Sequence, residues 1–516
     1  MHVELIGMFI AALAPIIWLV FALSGLHMEA YKASLGAFAV AAVCATVGWG
    51  MAPANLATAA LEGFAMALWP IVIVIIAAVF TYNLAVHTGA MEKIKQMLCS
   101  VSADRRVLTL LIAWCFGNFL EGMAGFGTAV AIPSSMLMAL GIDPVTSILS
   151  CLIANGMPTM FGSIGIPTTT LAAITGIDVI YLGFTQTLMS APFLIVCPAL
   201  MVMLAGGGRR ALKGMLPLSL IAGISFSIPQ IIAARFIGAE LPDVVGAVVS
   251  LGVTFAYALA HRADPVPDEQ RLEIAPAEEQ LTARSALVAW APFILIFAVL
   301  LLTSKLVPFV NEPLSQFKST VNIYAGDPEA TLTFSWINTP GVLIFLCGIA
   351  GGLIQGCPLP EMARVLADTC KQMAKTVATM LGVLACAKIM GYSGMISTIA
   401  TFFVSTLGGF YPIVAPVLGA LGTFVTGSGT SSEVLFGNVQ LQAAQQIGAD
   451  PTWLVASNSL GTGAGKMLSP QNIAIGCAAC GLTGKDGEIL GRIAPYAFAF
   501  AAVMAVLVFA GAALGL

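Results

Sequence analysis

Long apolar runs alternate with short polar connections along the whole chain. Uninterrupted apolar stretches occupy residues 5–23, 66–80, 187–204, 286–302 and 493–516. A helical crossing of a bilayer core takes roughly 20 apolar residues. A membrane β-barrel reads instead as short segments of alternating character, so continuous runs predict helices. Twelve spans are predicted, at about 4–24, 33–52, 66–86, 145–172, 183–205, 214–235, 243–260, 285–303, 339–356, 376–391, 451–478 and 493–514. Two further apolar segments, about 107–140 and 411–447, are predicted to enter and leave on one side as re-entrant hairpins. The fold class is therefore an all-α polytopic membrane protein.

Lysine and arginine test this map, because cytoplasmic loops carry an excess of them. With the N-terminus outside, sixteen of the 21 fall in inside loops. Arg235, Lys305 and Lys318 fall outside, and Lys388 and Lys466 fall within the membrane. Making either hairpin a full crossing inverts every later loop and spoils the asymmetry. Both termini are accordingly predicted outside. Residues 261–284, rich in Pro and Glu, read as a cytoplasmic linker, and 305–338 as a polar outside loop.

The two halves resemble each other at an offset near 305 residues. GNFLEG at 117–122 sits opposite GTFVTG at 422–427, and GIDP at 141–144 opposite GADP at 448–451. Asn155 is matched by Asn458, and Pro167 by Pro470. The charge map gives the halves opposite orientations, which predicts an inverted repeat. Its first unit is 1–210, with the hairpin at about 107–140 and a broken helix at 145–172. Connecting helices and the linker follow at 211–284. The second unit is 285–516, with the hairpin at about 411–447 and a broken helix at 451–478. Inverted repeats with broken helices are a transporter signature, because two similar halves of opposite orientation support two near-equivalent states.

Composition narrows the function further. The chain is 59% hydrophobic and 9% charged, with a mean hydropathy of +0.97; a soluble domain carries about a quarter charged residues. No basic cluster with interleaved aromatics points to nucleic acid. The first apolar run lacks a positively charged lead-in, with His2 and Glu4 before it, so it reads as a retained span and not a cleaved leader. The eleven cysteines are odd in number and mostly inside apolar runs, which fits reduced packing thiols. Cys477 and Cys480 form a CxxC inside a Gly/Ala-rich helix and read the same way. GTGAGK at 461–466 resembles a phosphate loop, but Leu460 stands where its first Gly is required and Met467 follows the Lys. Ser428 has no nucleophile-elbow spacing, and no His/Cys/Asp group has zinc spacing. No metal or other cofactor is expected.

Four polar, Gly/Pro-rich stretches interrupt the apolar pattern: LEGMAGFGTA (120–129), NGMPTMFGSIGIPTT (155–169), TGSGTSSEV (426–434) and SNSLGTGAGKMLSPQN (457–472). Helix breaks leave backbone groups unpaired, at several kcal/mol each in hydrocarbon, and survive only around a cavity or ligand. Half-helix N-termini suit an anionic carboxylate. The substrate-binding candidates are Gly125 and Gly127 at the first hairpin tip, and the hydroxyls of Thr426, Ser428, Thr430, Ser431 and Ser432. Asn155 and Asn458 join them to orient substrate or brace the breaks, and Lys466 as counter-charge. Small-residue helix packing is the plain alternative. Glu121, at the first tip, is the leading proton carrier, since charge inside a membrane is costly and marks function. Glu433 is a second proton site or the partner of Lys466. Lys466 could equally form a fixed salt bridge with Glu121. Lys388 reads as a snorkelling or helix-contact residue, Asp143 and Asp450 as helix N-terminal signals, and His27 and His87 as interfacial.

At these stretches the chain resembles the bacterial L-lactate permease family. LEGMAGFG (120–127), ANGMPTMFGSIGIP (154–167) and GKMLSPQ (465–471) look like its signatures, and TGSGTSSEVLFG (426–437) matches in most positions. The resemblance extends over most of the chain. It implies uptake of lactate, often glycolate, with protons, and more distantly paired hairpins in an elevator-like transport domain. The family pattern has Asp at the position of Gly429 and Asn at that of Glu433, and Met123, Thr128, Ala129, Gly156 and Met157 also depart from it. The expected partners are a small monocarboxylate, protons and membrane lipid, in the bacterial cytoplasmic membrane; oligomeric state is left open. Sodium coupling, another small organic anion, or an intramembrane enzyme using Lys466 and a serine are the rival readings.

Overall fold

The structure is a computed structural model describing residues 2–26, 28–125, 127–262, 264–273, 282–304, 306–482 and 485–515. His27, Lys305 and residues 274–281 of the linker lie outside them. Helices dominate: α1 Ile6–Leu23, α2 Ala30–Trp49, α3 Pro53–His87, α4 Arg105–Met123, α5 Thr128–Ala139, α6 Pro144–Gly156, α7 Gly162–Thr175, α8 Val179–Ala205, α9 Leu216–Phe236 and α10 Pro242–Ala260. They continue with α11 Ala283–Leu302, α12 Pro340–Ile354, α13 Leu359–Ser393, α14 Met395–Leu407, α15 Tyr411–Thr426, α16 Gly429–Ile447, α17 Pro451–Leu468, α18 Pro470–Ala479 and α19 Asp486–Ala513. Among the described residues 11 helical segments are long and apolar enough to cross a membrane, or up to 12 if the bent pair α6–α7 counts as one span.

The starts of several helices follow from sequence. Asp143 and Asp450 accept hydrogen bonds from Thr146 N (2.9 Å) and Trp453 N (2.8 Å), each before a proline in the first turn. The predicted broken span at 145–172 is α6 and α7, bent by 65° at residues 157–158. Ser163 and Ile164 there hold left-handed backbone, φ 48° and 57°, which side chains with a Cβ adopt only at a cost.

Several boundaries differ from expectation. The helix predicted at 66–86 begins at Pro53 and is kinked at Trp69, and the helix predicted at 376–391 extends over Leu359–Ser393. In α3 the buried Glu62 lies in the added turns, whereas the added turns of α13 carry the exposed charges Arg364, Asp368 and Lys371 and run beyond the apolar stretch. Residues 395–407, assigned to no element, form α14. The 305–338 loop holds an antiparallel pair, β1 Lys318–Val321 and β2 Leu332–Ser335, where no strand was expected. It is fastened to α3 by Trp69 Nε1 donating to Ser335 O at 2.8 Å and by the Trp69–Trp336 ring contact.

Burial separates a core from a lipid-facing shell. An 18-residue stretch of α4 is entirely buried, whereas the corresponding stretches of α1, α2 and α19 are mostly not. Exposed Ile224, Ile228 and Ile232 make a stripe along α9, as a helix facing acyl chains requires. Helix α4 packs on α5, and α15 on α16, in the two segments read from the sequence as hairpins, and α4 is long and apolar enough to cross a membrane.

Candidate functional site

The two broken helices cross backbone to backbone. A Cβ on Gly463 of α17 would stand 2.4 Å from the Gly156 carbonyl of α6, and one on Gly156 would stand 2.7 Å from the Gly463 carbonyl. Gly461 and Gly465 let α17 press equally close on α15, with built Cβ positions 1.8 Å from Pro416 O and 2.0 Å from Ala420 O. Without side chains at these points, Lys466, one turn beyond the crossing, reaches the tip of the first helix pair.

There Lys466 Nζ donates to Glu121 Oε1 at 2.5 Å, and Asn155 Nδ2 donates to Glu121 Oε2 at 2.7 Å. Lysine and glutamate are 6% and 3% exposed. The backbone of Asn155 is tied in turn by Thr159 Oγ1 at 2.8 Å, and Ser163 Oγ closes on Ala124 O at 2.9 Å. Of the two alternatives left open for Lys466, the ion pair with Glu121 is the one formed in this conformation.

A related arrangement stands in the second half. Asn458 Nδ2 donates to Glu433 Oε2 at 2.9 Å, while Glu433 Oε1 has no hydrogen-bond partner among the described residues. Asn458 is held by Gln440, which Tyr411 holds. Each of the two sequence-matched asparagines thus grips a buried carboxyl; one carboxyl carries a lysine and the other does not.

A cavity of about 630 Å³ adjoins the first of these arrangements. Its wall includes Glu121, Gly127, Thr426, Ser428, Thr430 and Lys466. The volume suits a small ligand. Gly125, Asn155, Ser431, Ser432, Glu433 and Asn458 do not line it. Gly125 packs on Ser163, and Ser432 Oγ is spent on Gly419 O at 2.7 Å. Ser428 caps α16 by accepting from Ser431 N, so the free N–H groups of that first turn stand at the cavity. The outer part of the wall carries Glu29, Tyr31 and Lys375. Glu29 and Lys375 form an ion pair there, and that hydrogen bond holds the Glu29 carboxyl below the usual range.

Sequence reasoning missed four participants. Thr159 and Gln471 line the cavity. Asp243, at the start of α10, is 1% exposed with both oxygens unpartnered among the described residues. Glu62 pairs with Lys388 at 2.6 Å and accepts from Tyr392 Oη at 2.8 Å, so Lys388, its side chain 20% exposed, makes a contact between α13 and α3, the helix-contact role of the two expected of it. Glu62 lies in the part of α3 that the apolar pattern left out. His87 shares a 3.2 Å surface hydrogen bond with Glu361, and with Cys357 these bring one ligand atom each within 4.8 Å of one another. Cys477 and Cys480 are free and buried.

The chain matches the family described as L-lactate permease over residues 8–515. It is 40% identical to an L-lactate permease of Streptococcus iniae over 452 residues, covering 88% of this chain and 94% of that one. It is 34% identical to the L-lactate permease of Escherichia coli strain K12 and 33% identical to that strain's glycolate permease GlcA, each over 96% of this chain and 94% of the other. Among solved structures, the YdaH transporter of Alcanivorax borkumensis gives a TM-score of 0.47 at 16% identity, over 86% of this chain and 85% of that one.

Proposed function

We propose that this chain, which belongs to the L-lactate permease family, carries a small 2-hydroxy monocarboxylate, lactate or glycolate, together with a proton. Membership makes it a multi-pass transporter of the bacterial inner membrane and not an enzyme. The observation that carries the proton-coupled reading is the buried Glu121–Lys466 pair on the cavity wall.

That pair is a carboxylate bound by a cation at a site a second carboxylate can reach. A substrate carboxylate entering the cavity competes with Glu121 for Lys466. The hydroxyls of Thr426, Ser428 and Thr430 and the first-turn N–H groups of α16 supply further donors. Glu121, once displaced, keeps only Asn155. An uncompensated buried charge costs about 3–5 kcal/mol, and taking up a proton removes that cost. Substrate and proton therefore enter together, because one lysine cannot neutralise two carboxylates. Glu433, gripped by Asn458 and without a lysine, is the second proton site of this reading. Gly125 and Gly127 shape the tip, and Asn155 and Asn458 brace the breaks.

Alternating access follows from the inverted repeat of 1–210 and 285–516 joined through 211–284. The two hairpins and broken helices move as one elevator-like body against the remaining helices. With both termini outside, the rim at Glu29 and Lys375 faces the cytoplasm.

The test is radiolabelled lactate uptake by purified protein in liposomes under an inward proton gradient without sodium. Accumulation abolished by an uncoupler is expected, with glycolate as a competitor. Glu121→Gln is expected to lose accumulation while keeping counterflow exchange. Proton-driven accumulation by that variant refutes the assignment of Glu121, and accumulation that needs sodium refutes proton coupling.

A further inference from the structure

The interior around the two helix pairs holds an uneven set of charges. Asp104–Arg106 and Glu62–Lys388 are closed on themselves as ion pairs. That leaves three buried carboxyls, Glu121, Asp243 and Glu433, and one buried lysine, Lys466, among the described residues. Lys466 serves Glu121 and Asn458 serves Glu433. Asp243 has no hydrogen-bond partner at either oxygen among the described residues. An ionised carboxylate so buried and so bare is too costly to persist, and such a group neutralises instead.

Its placement is as pointed as its isolation. Asp243 faces the tip that carries Glu121: a Cβ on the adjacent Gly122 would stand 3.0 Å from Asp243 Oδ2. Glu121 and Lys466 are both within its electrostatic reach. Helix α10 packs on α9, α4 and α7. From α9 the one charged group is Arg235, whose guanidinium lies over the rings of Phe184 and Phe236. From α4 there are Glu121 and Cys115, the latter in contact with Ser250 and Thr254. Helix α7 brings no titratable group, and Glu240 precedes α10 in the connecting turn.

We propose that Asp243 is a further proton-handling residue beside Glu121 and Glu433, holding a proton while Glu121 is paired with Lys466 and passing it to Glu121 when a substrate carboxylate takes the lysine. The Asp243 O–H bond breaks and an O–H bond forms on the Glu121 carboxylate. The transfer leaves the total charge of the two carboxyls unchanged, and the negative charge the substrate brings is balanced by the proton Asp243 then takes up. Asp243 regains a proton from water on the side from which substrate entered, before the site closes. On the far side Glu121 returns its proton to water as substrate leaves and Lys466 pairs with it again, so one proton crosses with each substrate. This inference rests on the proton-coupled reading above.

The test uses the full chain in liposomes with a one-unit inward pH gradient, which supports about tenfold accumulation for one proton per substrate. Asp243→Asn is expected to bring internal and external lactate to near equality while lactate exchange persists. Uncoupler-sensitive accumulation by this variant at the wild-type level overturns the inference. Asp243→Glu keeps a titratable group and is expected to restore accumulation with a displaced pH profile; a profile superimposed on that of the wild type overturns it too. Infrared spectra of the substrate-free protein give a check independent of folding yield across variants. A protonated-carboxyl band present in the wild type and reduced in Asp243→Asn is expected, and identical bands in the two count against the inference. A wild-type protein that shows no uncoupler-sensitive accumulation refutes the symport reading itself, whereas coupled wild type beside coupled Asp243→Asn refutes only the role of Asp243.

Discussion

Removing either member of the Glu121–Lys466 pair strands the other in a buried site. Lys466→Met leaves Glu121 with Asn155 alone, and Glu121→Gln leaves a lysine whose one hydrogen-bonded acid was 2.5 Å away. Both groups are under a tenth exposed, so water screens little of the lost attraction. Breaking a buried pair from one side costs about 3–5 kcal/mol, whereas replacing both charges costs little or nothing. Each single variant is therefore expected to lose about 3–5 kcal/mol of stability. The double variant is expected to recover most of it, since the side-chain amide introduced by Glu121→Gln can still accept a hydrogen bond from Asn155. Equilibrium unfolding in mixed micelles, read by tryptophan fluorescence, measures all four corners of the cycle. At about 1.4 kcal/mol per tenfold, each single loss changes the folded-to-unfolded ratio by more than a hundredfold, well above the scatter of such titrations. A double variant no more stable than the sum of the singles predicts would refute the pair as the organising contact of the site.

Other expectations follow from contacts elsewhere. Gly463→Ala must widen the α6–α17 crossing by about 1 Å, an overpacking cost of about 1–3 kcal/mol; it should lower both thermal stability and lactate affinity, read by melting and by uptake. Lys388→Met strands buried Glu62 and should cost about 3–5 kcal/mol while leaving the KM for lactate in place, since the pair is not on the cavity wall. The Glu29–Lys375 contact at the rim involves a carboxyl held below its usual range. It is therefore present above that range and lost as pH falls through the depressed value. Spin labels at Lys32 and Lys371 should report a narrow distance distribution at neutral pH that broadens in acid and, because the pair is exposed, also in high salt.

The resemblance between halves placed Asn155 opposite Asn458, and the tertiary arrangement gives each the same task of holding a buried acid. Glu121 and Lys466 were legible because a charge inside an apolar run is conspicuous. Their pairing was not, since 345 residues separate them and Glu433 competed equally on paper. Asp243 and Glu62 escaped notice for one reason: each sits where the hydropathy profile has already fallen, so its burial is set by helices packed on it from elsewhere in the chain.

The sequence by itself determined that the chain is helical and crosses a membrane many times, because apolar length and charge scarcity are local quantities. It determined also where helices break, since Gly and Pro act on their own backbone. What only the tertiary structure decided is which breaks meet. Bare glycines at 156, 461, 463 and 465 bring α6, α15 and α17 to backbone contact, and that close approach selects the one acid Lys466 can reach. Ion pairing falls off with distance and burial, and both are properties of the packed interior.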